Sequence, residues 1–316
     1  MKTMKNVFGL KTISTLAIAF VLILASCKKT DEAALSSIDT QNVNSESATD
    51  SYNDDSQDMA SLAVNNVDPT QFNGGRIGGR TEGNGDVVPI VAWQNLDDRL
   101  KCATITIIRT NAQGATPAGT ITIDFGTNAS CEDLRKVKRK GKIEVEYFGV
   151  RFAVGSYIKI TFKEHFRNGV KIEGVYTLTN IASTTQGFPK FTVNIVGGKI
   201  TFADGTKVSR DQNFICEWRR ASNPAQDTWA ILVGSEASGK TKADKNYTMV
   251  VTKDVIFSRA CAISNQVFIP VSGTKTFIVD SKTTYSVDYG SGNCDNEITV
   301  SVGSASKTIT VGADGN

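Results

Sequence analysis

Two copies of one short pattern, far apart in the chain, constrain the fold more than any other feature. The first runs Thr122-Ile-Asp-Phe-Gly-Thr-Asn-Ala-Ser-Cys-Glu-Asp133 and the second Ser286-Val-Asp-Tyr-Gly-Ser-Gly-Asn-Cys-Asp-Asn296. Both read apolar, Asp, aromatic, Gly, a polar turn, Cys, then two acidic or amide residues. A further cysteine precedes each copy, Cys102 for the first and Cys261 for the second. Ile121, Ile123 and Phe125 alternate with Thr122 and Asp124, as Val287 and Tyr289 do around Asp288, the period of a strand with one buried face. Gly126 and Gly290 end these strands where a residue tolerant of positive φ lets the chain turn. Asp124 and Asp288 then fall on the solvent face beside the turn. Asp288, Asn293, Asp295 and Asn296 offer hard oxygens of the kind that hold Ca²⁺. No EF-hand spacing accompanies them, so side chains bonding nearby backbone N–H groups are the expected reading. Whether they also take a cation stays open. The recurrence predicts two disulfides, Cys102–Cys131 and Cys261–Cys294, each closing about 30 residues and contributing roughly 3.5 kcal/mol.

Strand patterns fill the region between and around the copies. Ile143, Val145 and Tyr147 alternate with Lys142, Glu144 and Glu146, and Ile158, Ile160 and Phe162 with Lys159, Thr161 and Lys163. Similar runs follow at Phe191–Ile195, Ile200–Phe202, Tyr247–Val251, Ile298–Val302 and Ile309–Val311. A smaller echo links Lys159-Ile-Thr-Phe162 and Gly169-Val-Lys-Ile172 to Lys199-Ile-Thr-Phe202 and Gly205-Thr-Lys-Val208, as hairpins with glycine turns would. Only Trp93–Leu100 hints at helical periodicity. One-sided alternation of this kind predicts an all-β domain over residues 86–316, its antiparallel sheets packed as a sandwich or rolled.

The N-terminus directs the chain out of the cell. Lys2, Lys5 and Lys11 precede an apolar run, Ile13 to Leu24, too short to span a bilayer. Leu24-Ala-Ser-Cys27 resembles a bacterial lipoprotein signal box, which makes residues 1–26 a signal peptide and Cys27 the lipidated residue. Several acyl chains on that cysteine would give stable anchoring. Lys28-Lys-Thr-Asp-Glu32 resembles the tag that sends such lipoproteins to the outer face of the outer membrane. Residues 27–85 are poor in aromatics and rich in Ser, Asn, Asp and Gly, the composition of a disordered tether spanning roughly 40 Å. Its close, Asn73-Gly-Gly-Arg-Ile-Gly-Gly-Arg80, reads as a hinge and not as an RNA-binding tract. The precursor carries a formal charge of +3, matched by its three signal lysines. Residues 28–85 hold four basic and ten acidic residues, and the remainder 28 basic and 22 acidic. An acidic tether thus leads into a mildly basic domain, which tolerates anionic partners.

The layout as a whole resembles β-rich surface lipoproteins of Bacteroidetes. The signal and acidic tether, Arg139-Lys-Gly-Lys-Ile143, Asn168-Gly-Val-Lys-Ile-Glu-Gly174 and Val287–Asn296 carry the likeness. It implies an outer-membrane, surface-exposed location and transfers no functional residue. Cys216, in Phe214-Ile-Cys-Glu-Trp218, lies outside the pattern. It shares a face with Phe214 and Trp218 and is expected to be a buried free thiol.

Chemistry-bearing motifs are sparse. Gly234-Ser-Glu-Ala-Ser-Gly-Lys-Thr241 satisfies the phosphate-loop pattern, but the mechanism needs a helix N-terminus after the loop. Lys242–Val251 reads instead as a turn and a strand, so neither a nucleotide nor another cofactor is expected, and nucleic acid is not an expected partner. His165, between Phe162 and Phe166, reads as part of a hairpin turn and has no second histidine to work with. Spacings for serine hydrolases, zinc proteases and zinc-binding cysteine pairs are missing. The densest charge is the run Arg135, Lys136, Lys138, Arg139, Lys140 and Lys142. It is either a solvated hairpin loop or a dock for an anionic surface glycan or another envelope protein. Trp93, Trp218 and Trp229 are either core residues or platforms for sugars. The expectation is a non-catalytic, lipid-anchored binding or envelope protein. The alternative is an extracellular carbohydrate-active enzyme with acids dispersed on a β scaffold.

Overall fold

The computed structural model describes residues 40–67, 97–110, 116–128, 131–150, 152–182, 187–265 and 267–311. Cys27, the signal segment, the Gly/Arg hinge and Trp93 lie outside the described residues. Fifteen antiparallel strands form one continuous sheet. They are β1 (Thr104–Arg109), β2 (Ala118–Asp124), β3 (Cys131–Glu132), β4 (Lys138–Phe148), β5 (Tyr157–Arg167), β6 (Val170–Ala182), β7 (Lys190–Thr201) and β8 (Lys207–Arg219). After these come β9 (Thr228–Ile231), β10 (Glu236–Lys240), β11 (Asn246–Ser258), β12 (Ser272–Val279), β13 (Thr283–Ser291), β14 (Glu297–Val302) and β15 (Ala305–Thr310). Neighbours in sequence are almost always neighbours in the ladder. Two short strands, β9 and β10, share the slot between the 13-residue strands β8 and β11. Asn168 and Gly169, both at positive φ, make the two-residue β5–β6 turn. The all-β expectation holds.

The two pattern copies fold alike. Asp124 accepts a hydrogen bond from the Gly126 N–H, and Asp288 accepts one from Gly290. Phe125 and Tyr289 are buried beside these turns. In the first copy Cys102 follows the helical turn Asp98–Leu100, in the second Cys261 sits in the short helix Arg259–Asn265; in both a hairpin follows and the second cysteine closes the loop. The disulfides are Cys102–Cys131 and Cys261–Cys294, with Cα–Cα distances of 5.4 and 5.0 Å. Cys216 is buried and free.

Thr40–Val67 forms a 28-residue helix, α1, where the composition had predicted disordered tether. Its sequence is polar and its apolar residues do not keep to one stripe. Val43, Ala48, Tyr52, Met59, Ala60, Ala63 and Val64 are buried, and so are Ser45, Ser47, Thr49, Asn53 and Ser56. Burial on nearly every face means the helix runs through the interior, not along a surface. Short hydroxyl side chains make this tolerable by bonding their own backbone: Thr49 donates to the Ser45 carbonyl at 2.7 Å and Ser56 to Tyr52 at 2.9 Å. Helices of this composition are marginal alone, so α1 is held by its surroundings.

Those surroundings show that the sheet is rolled. Asp50 bonds Arg210 on β8 and Lys275 on β12, while Asp55 bonds Arg139 on β4 and approaches Arg167 on β5. Five strands separate β5 from β12 in the ladder, about 29 Å if the sheet were flat. Five residues of helix advance only about 7.5 Å. The strands therefore curl around α1, and the sandwich alternative is set aside. Bulges supply the bend: the register shifts within β4, β5, β6 and β7 lie on neighbouring strands. At one of them Gly174 (φ 122°) passes so close to β7 that a Cβ would stand 2.8 Å from the Gly198 Cα. Two core clusters result, one under β1 to β8 that includes α1 from Ala48 to Val64, the other under β7 to β15 that includes Val43.

Candidate functional site

The inner face of the roll is unusually cationic. Arg139, Arg167, Arg210 and Lys275 are each at most 4 % exposed. Opposite them, Glu46, Asp50, Asp54 and Asp58 repeat every four residues along α1, one stripe of a helix, with Asp55 beside them. Asp55 meets Arg139 at 2.9 Å and Arg99 at 3.1 Å, and Asp58 meets Arg99 at 2.5 Å. Asp50 meets Arg210 at 2.5 Å and Lys275 at 2.6 Å, and Glu46 also bonds Arg210. Burial works against the Asp55 charge, but the Arg139, Arg167 and Arg99 guanidiniums outweigh it and hold that carboxyl below its usual range. Burial likewise works against the Lys275 ammonium, and Asp50 outweighs it, so the ammonium is held above its usual range.

Asp54 is the exception on this stripe. It has no hydrogen bond or ion pair among the described residues. It lies deep in the molecule, yet its side chain is open, because the space beside it is a cavity of about 1270 Å³. Desolvation, and after it the Asp50 charge, push its carboxyl up to about 7. Ser51, Asp58 and Ser61 continue the same face of α1 along the cavity.

Aromatic rings form the opposite wall. Phe191 on β7 stacks on Trp229 on β9 with centroids 5.6 Å apart. Phe152 reaches Trp218 on β8 at 5.6 Å and Phe191 at 6.3 Å. Phe148 and Tyr157 stack at 5.8 Å on the far side, and Phe257 and Phe268 complete the wall. Phe152 holds a left-handed backbone (φ 64°), a conformation a bulky residue adopts only when its surroundings impose it. Trp218 donates its indole N–H to Asp227 at 3.0 Å, and Asp227 also takes the Ala221 N–H. The cavity thus joins flat apolar surfaces to a carboxylate, Asp54, that has no bonded partner among the described residues, a combination suited to holding a small or elongated ligand.

The structure separates the residues of the basic run. Arg139 is turned inward against Asp55 and Asp133. Lys136 and Lys138 lie outside and pair with Glu132, Lys142 pairs with Asp124 at 2.9 Å, and Lys140 sits 4.2 Å over the Phe166 ring. Arg135 is exposed and lies over Phe268 at the cavity. The six side chains do not share one face, since strand alternation sends Arg139 to the opposite side from Lys138.

Other sequence candidates resolve into structural roles. Residues 236–240 of the phosphate-loop match are strand β10 inside the sheet, where Gly239 stands opposite both Arg210 and Tyr247. His165 lies within β5 at a bulge and not in a turn; it packs between Phe125 and Phe162, and burial, then Arg139, push it down to about 4. Burial pushes the Cys216 thiol up, so it is no nucleophile at neutral pH. Asp295 accepts from the Glu297 N–H, the local turn bond expected of it. Among the described residues no three His, Cys, Asp or Glu side chains group as metal ligands. The acidic stripe on α1 went unread, although its four-residue spacing and the opposite charges of residues 28–85 and 86–316 were both there to be paired. Comparison of the chain with protein-family models, with curated proteins and with solved structures finds no match in any of the three.

Proposed function

We propose that this chain is an exported, lipid-anchored, non-catalytic binding protein of the outer envelope, and that the aromatic-walled cavity is its ligand site. One observation carries the reading: a cavity of about 1270 Å³ whose wall is a connected set of rings, Phe152, Trp218, Phe191 and Trp229. Rings in a packed core touch other side chains on all sides, whereas these line open space. Support for export comes from Leu24-Ala-Ser-Cys27 and from two disulfides, which persist in oxidising compartments. The basic run lends less to docking of an anionic glycan, because four of its six side chains are already paired with carboxylates.

The carbohydrate-active alternative needs a second carboxylate free to face the ligand opposite Asp54. Of the other carboxylates along the cavity, Asp227 is committed to Trp218 and Ala221, Asp98 accepts the Leu134 N–H, and Asp55, Asp58, Asp97 and Asp133 each meet an arginine. Binding without turnover is the expectation.

The test uses the mature chain and the apolar dye N-phenyl-1-naphthylamine. Its emission is expected to rise on binding while Trp218 and Trp229 are quenched. Phe152→Ala with Trp218→Ala should weaken the dye at least tenfold. Equal dye binding by that variant, or none by the wild type, would remove the cavity as a site. Oligosaccharides that displace the dye and are cleaved would favour the enzyme.

A further inference from the structure

The chemical class of the ligand can be argued further, resting on the reading of the cavity as a binding site. Each of the other carboxylates on the α1 stripe has a cation: Glu46 and Asp50 have Arg210, Asp55 has Arg139, and Asp58 has Arg99. Lys275, the basic group nearest Asp54, is already bonded to Asp50 at 2.6 Å. Among the described residues Asp54 faces the cavity with neither a hydrogen bond nor an ion pair. An opposite charge that entered the cavity would meet a carboxylate that no bonded cation has taken. Rings attract cations to their faces, and Trp229 lines the cavity that Asp54 enters. Carboxylate and ring faces thus favour the same charge sign at the Asp54 side chain, while Arg135 and Arg259 line other parts of the cavity surface.

We infer that the cavity takes an organic cation, an ammonium group on an apolar or aromatic body, with Asp54 as its counter-charge and the Phe152, Phe191, Trp218 and Trp229 rings around the body. The groups that act on Asp54 are Asp50, Asp55 and Asp58 from its own helix and Lys275 from β12, with Cys216 of β8 also within its field. Asp50, Asp55 and Asp58 are each bonded to a cation, and the Cys216 thiol is neutral at these pH values. Asp54 is therefore the group whose protonation changes between pH 5.5 and 8. It is ionised at pH 8 and protonated at pH 5.5, because its carboxyl titrates at about 7. A permanently charged ligand should bind more tightly at the higher pH.

The probes are benzyltrimethylammonium and its uncharged carbon isostere, neopentylbenzene, titrated into the mature chain and followed by tryptophan quenching. At pH 8 the cation is expected to bind at least tenfold more tightly than the isostere, and at pH 5.5 about equally. Asp54→Asn should abolish the preference at pH 8, chiefly by weakening the cation at least tenfold, and Asp54→Glu should retain it. A cooperative thermal melt shows that Asp54→Asn is folded. Isostere binding without a preference for the cation overturns this inference and leaves the cavity standing. A preference that survives in Asp54→Asn moves the counter-charge elsewhere and overturns it too. Failure of both probes to quench removes the cavity reading together with it.

Discussion

Asp54 and Asp55 are adjacent residues with opposite titration behaviour, and the difference is whom each one faces. Asp55 meets guanidiniums and is held low, so it contributes stability that is present above the ordinary carboxylate range and lost as pH falls through its folded pKa. Asp54 meets a cavity and rises to about 7, so the folded chain binds a proton that the unfolded chain has already released. Its effect is therefore a loss of stability as pH rises from about 4 to about 7. His165, pushed down to about 4, works the other way, since its neutral form loses ground as pH falls below the ordinary histidine value. Asp54→Asn removes only the first of these two opposed slopes. The variant should melt at a higher temperature than the wild type at pH 8, with the gap shrinking as pH falls and closing near pH 4. Thermal melts across that range check it. A gap independent of pH would mean that Asp54 is not the titrating group.

At the scale of elements, α1 is the piece on which the roll depends. Lys275 is fully buried, and its ammonium bonds Asp50. Removing one partner of a buried pair strands the other, at a cost of about 3–5 kcal/mol. Asp50→Ala should therefore destabilise by that amount, measured by urea unfolding at pH 7. Replacing Lys275 as well, with Met, should recover most of the loss, because an apolar side chain of similar length needs no counter-charge. Additive losses in the double variant would show that the pair is not coupled. The strands and both disulfides were legible in the sequence because period-two alternation and the repeated Asp-aromatic-Gly-turn-Cys pattern are local signals. The helix was not, because its burial does not rest on an apolar stripe. Thr49 and Ser56 satisfy themselves within the helix, and Asp50 and Asp55 find partners 44 to 225 residues away. The cavity was equally hidden: Phe152, Phe191, Trp218 and Trp229 come from separate stretches and meet only when the sheet curls. No spacing rule marks them as one surface.

For the whole molecule, docking of α1 changes how the proposed lipid at Cys27 would hold the domain at a membrane. A free tether from Cys27 to residue 85 would let the domain roam over roughly 40 Å as a random coil. With Thr40–Val67 fixed inside the roll, only residues 28–39 separate the proposed lipid from the folded body. Twelve residues reach at most about 40 Å even fully extended, and a relaxed coil of that length spans about 20 Å. Residues 68–85 follow the docked helix in sequence, so their length does not set its height. A ten-residue Gly/Ser insertion between Glu32 and Ala33 should raise the domain above the bilayer, whereas the same insertion after Asp68 should not. Energy transfer from a dye on the domain to acceptors on lipid headgroups measures this in vesicles carrying the lipidated chain. Cys27→Ser is the control, and it should leave no protein on the vesicles. Equal rises from both insertions would mean that α1 leaves the roll at the membrane and the whole segment serves as tether. A rise from the first insertion alone would place the acidic helix inside its cationic sheet in the working protein, with the cavity held close to the bilayer surface.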